Sequence, residues 1–354
     1  MVEGGIFTIL HNVLQELSEF NKNKEIQVIA LVHDVTKFNF PNIQLIEIPH
    51  SKKSWLYRLY YEYFYFKKLS KKLKPDVWFS LHDTTPRVVA KKQFVYCHHP
   101  TTFFKPTWKD WKFNYKIGIF SLLYDNLFKL NINKNHTVFV QQHWIKDVFE
   151  KRFKIFNIKV AIPQYVEEIT TEKFNFDANK IHFFYPSFPR SFKNHELILE
   201  AIKLLPKNIV EKSQFHFTTI KDSKEKYAQF LVKEYRFLEN VRFYGKVKRK
   251  QLLSMYNAMD CLIFPSKVET WGLPISEAKA YKKPMFLANL PYAKEACGNY
   301  ENVSFFDENN ATELAGKITE FVEEKHHFQG NSITFDTSED LHNWKELLHY
   351  ILKD

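Results

Sequence analysis

Glycine is scarce, with 8 residues in a chain of 354, against a usual share of ~7%. Gly-x-Gly-x-x-Gly is absent, which argues against a dinucleotide oxidoreductase. Gly-x-Ser-x-Gly is absent too, so a hydrolase nucleophile elbow is unsupported. Each glycine that is kept is expected where a side chain would not fit. Cysteine is limited to Cys97, Cys261 and Cys297. Odd in number and far apart, they offer neither a zinc spacing nor a disulfide framework, which fits a reducing cytoplasm. No run approaches the ~18–20 apolar residues of a spanning helix, Ile117 to Leu123 being about the best. The first ten residues carry an acid and no basic n-region, so no secretory signal is expected.

Positive charge is in excess. Lys plus Arg (51) minus Asp plus Glu (40) gives +11, so an anionic partner is expected: phosphate ligands, nucleic acid or an acidic membrane face. Aromatics make up 17% of the chain, including 35 Phe and 18 Tyr. With 45% hydrophobic and 26% charged residues the chain reads as globular, and its length suits two domains of ~100–200 residues.

Short apolar runs alternate with helical spacing almost throughout. Ile26–Leu31, Val77–Leu81, Gln93–Cys97 and Thr137–Val140 read as buried parallel strands, with helices such as Phe7–Phe20 and Trp144–Phe153 between them. The rhythm restarts at Ile181–Tyr185 and continues through Phe215–Thr219, Val241–Tyr244, Cys261–Pro265 and Pro284–Ala288. This is the pattern of an α/β chain with parallel sheets and helices on both faces. Val160–Lys180, rich in Glu, Thr and Lys and without a clear period, reads as the connection between two doubly wound domains.

Lys52–Lys74 stands apart: eight basic residues against one acid, Glu62, with eight aromatics from Trp55 to Phe66. A basic aromatic helix suits anionic lipid heads. It equally suits a packing helix whose lysines are solvated. Lys105–Leu130, with Trp108, Trp111 and Phe113, carries the same two readings.

The densest signal is CLIFPSKVETWGLPISEAKAY, Cys261–Tyr281. A buried strand runs into a loop and then a helix starting at Leu273–Pro274, where proline has no amide bond to lose. Gly272 lets a ligand approach the backbone, and the free amides of the helix start make an anion site. Glu269 and Glu277 flank it at the carboxyl end of the strand, where open α/β sheets bind ligands. The residues alone also allow an ordinary strand–loop–helix with two solvated acids.

Glu269, seven residues and Glu277, with WGLP between them, resemble the Glu-x7-Glu motif of retaining glycosyltransferases of family 4, which have a GT-B fold. VRFYGKVKRKQLLSMYNAMDCLIFPS, PYAKEACGN and KNHELILEAIKLL resemble family segments around that motif. VYCHHP, VFVQQHWIKDVF and the Gly4–Gly5 loop resemble pieces of its first half, so the resemblance covers nearly the whole chain. It implies two Rossmann-like domains facing across a cleft. Their bounds would be residues 1–163, completed by a C-terminal helix at 338–354, and residues 178–337, with a linker at 164–177. It also implies sugar transfer from a nucleotide diphosphate sugar, with anomeric retention, to a hydroxyl of a growing polysaccharide or lipid-linked oligosaccharide. Carried over by residue, Glu277 would hold the ribose and Glu269 the donor sugar's hydroxyls. The amides of Gly272 and Leu273 would meet sugar or diphosphate oxygens, and Gly245–Lys246–Val247 would lie against the base. Gly5 would belong to the N-terminal glycine loop.

The leaving nucleoside diphosphate gathers charge, so fixed cations matter. Lys193 matches the family's lysine. The family's arginine is missing near Ser187, and Arg190 is the nearest substitute. His98, at the end of QFVYC, matches a histidine that approaches the donor sugar; His99 and His82 are weaker candidates. Many glycosyltransferases hold a metal with Asp-x-Asp, and none occurs here, so neither a metal nor another cofactor is expected. Nucleic acid is not an expected partner, because no recognition module accompanies the charge. The alternatives are a catalytically silent assembly protein of the same fold and, as a weaker reading, a basic nucleic-acid-binding protein. The expected location is cytoplasmic, on the inner face of the membrane. In this fold a central strand of about five residues should precede Gly4–Gly5, yet only Met1, Val2 and Glu3 do, so the natural reading frame is expected to begin upstream.

Overall fold

The computed structural model describes residues 5–23, 25–81, 83–99, 103–163 and 169–353. The chain forms two compact units, one from Met1–His99, Leu123–Gln164 and Asp336–Asp354, the other from Pro100–Leu122 and Tyr165–Phe335. Residues 100–122 therefore group with the second unit, whereas the sequence reading kept them in the first.

The first unit opens on α1 (Gly5–Phe20). Gly5 is thus the first residue of a helix rather than part of a loop, while Gly4 and the expected preceding strand lie outside the described residues. Then come β1 (Val28–Val32), β2 (Ile43–Glu47), α2 (Trp55–Tyr60), a π turn (Tyr61–Tyr65) and α3 (Phe66–Leu73). After β3 (Val77–Ser80) and β4 (Lys92–Cys97), the end of α4 (Trp108–Lys129), from Leu123 on, leads to β5 (Thr137–Val140), α5 (His143–Phe153) and β6 (Ile158–Val160). The strands fall into two parallel sheets, β1–β2 and β3–β4–β5–β6. Phe94, Tyr96 and Phe139 from the larger sheet pack with Trp344, Leu347 and Ile351 of the C-terminal helix Trp344–Leu352.

β1 starts two residues later than its apolar run because the Asn21 side chain occupies both backbone groups of Ile26, at 2.8 and 3.1 Å. Lys52–Lys74 is not one regular helix. Its π turn, a feature frequent at functional sites, carries the buried Glu62, which accepts from Arg58 Nε at 2.8 Å and Thr84 Oγ1 at 2.5 Å. Leu56, Tyr57, Tyr60 and Phe64 of the same stretch are exposed. α4 breaks at Asn114 (φ −153°, ψ 76°). Among the described residues, no helix is long and apolar enough to cross a membrane.

The second unit runs β7 (Ile181–Tyr185), α6 (His195–Lys203), α7 (Lys207–Lys212), β8 (Ser213–Phe217), α8 (Lys226–Tyr235) and β9 (Val241–Phe243). It continues with α9 (Arg249–Ala258), β10 (Cys261–Phe264), α10 (Leu273–Ala280), β11 (Met285–Ala288), α11 (Pro291–Cys297), β12 (Val303–Phe306) and α12 (Ala311–Val322). Its six strands are parallel, in the order β9–β8–β7–β10–β11–β12. The order reverses between β7 and β10, which makes the carboxyl ends of those two strands the natural ligand position. β8 stops short of the expected Thr219 because Thr219 adopts a left-handed backbone (φ 60°) that no ladder accepts. Of the expected linker, residues 164–168 lie outside the described residues. The part from 169 lies on the second unit, with the Phe174 amide on the Ser254 carbonyl at 3.0 Å and the Thr170 amide on the Tyr281 hydroxyl at 2.9 Å.

Candidate donor-binding site in the second unit

β7 ends in a buried Tyr185 and is followed by a 3₁₀ turn, Ser191–Lys193. Asn194, in the left-handed region (φ 59°), separates that turn from α6. Lys193 therefore stands just before the helix and not within it. Its carbonyl takes the Tyr185 hydroxyl at 2.6 Å, while Asn194 reaches across to the carbonyls of Pro265 (3.2 Å) and Glu308 (2.8 Å). From the neighbouring strand β10, the loop through Ser266–Glu269 comes back against the same turn, with the Lys267 amide on the Phe192 carbonyl at 2.8 Å. The ammonium of Lys193 forms an ion pair with Glu269, both side chains being largely buried. One charge follows β7 and the other follows β10, so the pair sits at the point where strand order reverses.

Gly272 caps α10 in a left-handed conformation (φ 83°), and a Cβ there would lie 3.2 Å from Ile275 Cδ1. The glycine is required by its backbone angle. Leu273 and Pro274 then open the helix, and Glu277 is buried one turn in. Its carboxylate is held by the guanidinium of Arg249, the first residue of α9.

A cavity of about 480 Å³ opens among the segments that follow β7, β8 and β9, lined by Pro189, Arg190, Thr219, Lys221, Gly245 and Lys246 among others. Arg190 is ion-paired with Glu225 at 3.1 Å and half exposed. Thr219 joins the walls: its hydroxyl meets the Ser187 carbonyl at 2.5 Å and its amide the Gly245 carbonyl at 2.9 Å. Val247 follows on the same loop, half-buried.

Beneath Lys193 lies His195, fully buried, with neither ring nitrogen hydrogen-bonded among the described residues. Burial and the nearby lysine hold its pKa down at about 3. The imidazole is thus neutral, and the positive charge at the β7 end comes from Lys193.

The structure thus brings Lys193 to Glu269 and Arg249 to Glu277, with Gly272 and Leu273 on the loop and helix start between the two acids. His98 and Gly5 belong to the first unit. His98 is buried at the end of β4, where Asp83, in the left-handed region (φ 68°), accepts the His98 and His99 amides at 2.6 and 2.9 Å. Burial pushes the Asp83 carboxyl up, but His98, His99 and the amide bond prevail and hold it below the usual range. Burial lowers His99. His82 lies outside the described residues. Among those described, no three His, Cys, Asp or Glu side chains converge as a metal site would need.

Residues 166–333 match the family model described as Glycosyl transferases group 1. That match spans most of the second unit and a little under half of the chain. The whole chain is similar to WaaG, described as a glycosyltransferase involved in lipopolysaccharide biosynthesis: TM-score 0.68, 14% identity, 100% of this chain and 98% of that one. It is also similar to S. aureus TarM solved with UDP, at TM-score 0.54 and 16% identity, over 73% of this chain and 51% of that one. These likenesses identify the fold as GT-B, with two parallel-sheet α/β units. Among curated proteins, a Klebsiella pneumoniae protein described as an uncharacterized 41.2 kDa protein in the cps region is 28% identical over 130 residues. That match takes in 36% of this chain and 34% of the relative, about a third of its length. Arg249 is the residue of this site that sequence reading missed. Arg249 lies in a run of four basic residues within Lys246–Lys250, broken only by Val247, and nothing local distinguishes it from its neighbours.

Proposed function

We propose that the chain is a retaining glycosyltransferase, moving a sugar from a nucleotide diphosphate sugar to a hydroxyl of a growing cell-surface polysaccharide or lipid-linked precursor. The observation that carries this reading is the Lys193–Glu269 ion pair at the strand-order reversal of the unit that matches the group 1 model. In the reaction the bond from the anomeric carbon to the phosphate oxygen breaks with its electron pair on the diphosphate. The acceptor oxygen bonds that carbon, and its proton passes to the departing phosphate. Lys193 and the amides at the start of α10 face the growing charge, which is where preorganised positive groups lower a barrier. Glu269 takes the sugar hydroxyls, and Glu277, oriented by Arg249, takes the ribose. The cavity by Gly245–Val247 receives the base.

No metal enters this scheme. Slow hydrolysis of UDP-, GDP- and ADP-sugars by the purified chain, followed by NMR, tests both points. We expect release of the sugar in the donor's own anomeric form, unaffected by excess EDTA. Release of the opposite anomer first, or loss of turnover with EDTA and recovery with magnesium or manganese, would contradict the scheme.

A lipid-linked acceptor fits the exposed Leu56, Tyr57, Tyr60 and Phe64 beside the lysines of α3. Each lysine near an anionic surface contributes ~1 kcal/mol. Replacing Lys67, Lys68, Lys71 and Lys72 by glutamine should release the protein from phosphatidylserine vesicles at low salt. Unchanged co-sedimentation would mean that these lysines are merely solvated.

A further inference from the structure

The two loops that carry Lys193 and Glu269 do not hold each other alone. A segment between β4 and the break in α4, residues 103–113, lies along both. Asp110, buried, accepts the Ser191 hydroxyl on one carboxylate oxygen. The other oxygen accepts the Thr107 amide and hydroxyl, each at 2.6 Å. Phe104 packs on Val268, one residue before Glu269, and its ring lies 5.8 Å from that of Phe192, one residue before Lys193. Further along, Lys109 pairs with Glu196 of α6 at 2.9 Å, and the Phe113 ring stands 5.0 Å from Phe230 and 5.3 Å from Tyr227 of α8.

Half of this is ordinary helix chemistry. Thr107, just before α4, and Asp110, its third residue, make the acid-side half of a capping box: the carboxylate accepts the Thr107 amide and hydroxyl, while the Asp110 amide goes to the Thr107 carbonyl at 3.0 Å. A capping box needs only one carboxylate oxygen. The second oxygen of Asp110 is committed to Ser191, on the 3₁₀ turn that ends in Lys193. The phenylalanine contact in turn falls one residue ahead of each charged partner. Two of the tethers, Asp110 on Ser191 and Phe104 on Val268 and Phe192, thus fall beside the Lys193–Glu269 pair, while Lys109 and Phe113 anchor the segment to α6 and α8.

We propose that residues 103–113 are a positioning strap for the donor diphosphate, with Asp110 and Ser191 as its clasp. The strap touches neither reacting atom. It fixes the turn Ser191–Lys193, whose internal backbone bonds among the described residues are Lys193 to the Arg190 carbonyl (2.9 Å) and Asn194 to the Ser191 carbonyl (3.0 Å). A turn closed by so few bonds relies on side-chain ties to hold one geometry, and the position of the Lys193 ammonium follows from it. The choice of nucleoside diphosphate as ligand rests on the function proposed above; the mechanical role of the clasp does not.

Ser191→Ala removes the clasp and leaves the capping box intact. Hydrogen exchange of the ligand-free protein should show faster exchange at the Lys193 and Asn194 amides in this variant. Ser191→Thr, which keeps the hydroxyl, should restore protection. Calorimetry with UDP, GDP and ADP, against the matching monophosphates, should show the best diphosphate weakened about tenfold, as for loss of one charged hydrogen bond. The monophosphate should change little, because it reaches the base cavity without needing Lys193. Unchanged exchange at residues 193 and 194 in Ser191→Ala would overturn the strap whatever binds. Equal weakening of diphosphate and monophosphate would overturn its role in diphosphate positioning. A wild-type protein that binds none of these nucleotides, yet shows the exchange effect, would instead refute the donor reading and leave the strap as a clasp of the fold.

Discussion

Lys193→Ala is expected to abolish measurable transfer and to destabilise the second unit by ~3–5 kcal/mol. That is the usual consequence of removing one partner from a buried ion pair, because the remaining charge keeps its desolvation without its counter-ion. Glu269 is the charge left behind. The variant Lys193→Ala/Glu269→Gln separates stability from function. With both charges gone, no uncompensated carboxylate remains, and the double variant should recover much of the lost stability. It should recover no activity, since neither the phosphate cation nor the sugar-binding carboxylate is present. Urea unfolding followed by circular dichroism reads the first quantity and donor turnover the second. A Lys193→Ala protein as stable as wild type would mean that the pair contributes nothing to the fold.

Glu277→Ala should weaken nucleoside diphosphate binding by about ten- to a hundredfold, the loss of a charged hydrogen bond worth ~1.5–3 kcal/mol. Arg249 gives this prediction a second arm. If the guanidinium acts by orienting the Glu277 carboxylate, Arg249→Ala should lower affinity by a smaller factor. Adding it to Glu277→Ala should then cost nothing more, because the two side chains act as one unit. Additive losses would place Arg249 on the ligand in its own right. Glu269→Ala, in contrast, should lower turnover more than affinity.

The residues show which parts of this site a sequence can disclose. Cys261–Tyr281 was legible because each local rule agrees there: four buried apolar residues in a row, a glycine forced into the left-handed region and a proline in the first helical turn. The charge of Lys193 was legible only through resemblance. Its place outside α6 depends on Asn194 adopting φ 59°, and asparagine permits that angle without demanding it. Arg249 and Asp110 were invisible for another reason. In Val247–Leu252 and Trp108–Phe113 they sit among charged residues that would all be solvated on an isolated helix, and only the packing of α9 near α10, and of the strap on the 191–193 turn, picks them out. Strands β2, β6 and β12 escaped because each is three to five residues long and broken by a polar residue, as in Ile43–Glu47 and Val303–Phe306. The paired sheet that admits them is not a local property.

Nucleotide binding by the unmodified protein is the plainest check on a donor site in the second unit. UDP, GDP, ADP and their sugars are added in turn and the unfolding midpoint of the second unit recorded. A ligand at one hundred times its dissociation constant contributes ~2.7 kcal/mol, well within detection. One nucleoside diphosphate should raise the midpoint in the presence of EDTA, and Glu277→Ala should lose most of the shift. No shift with any of them, or a shift of equal size in Glu277→Ala, would contradict such a site.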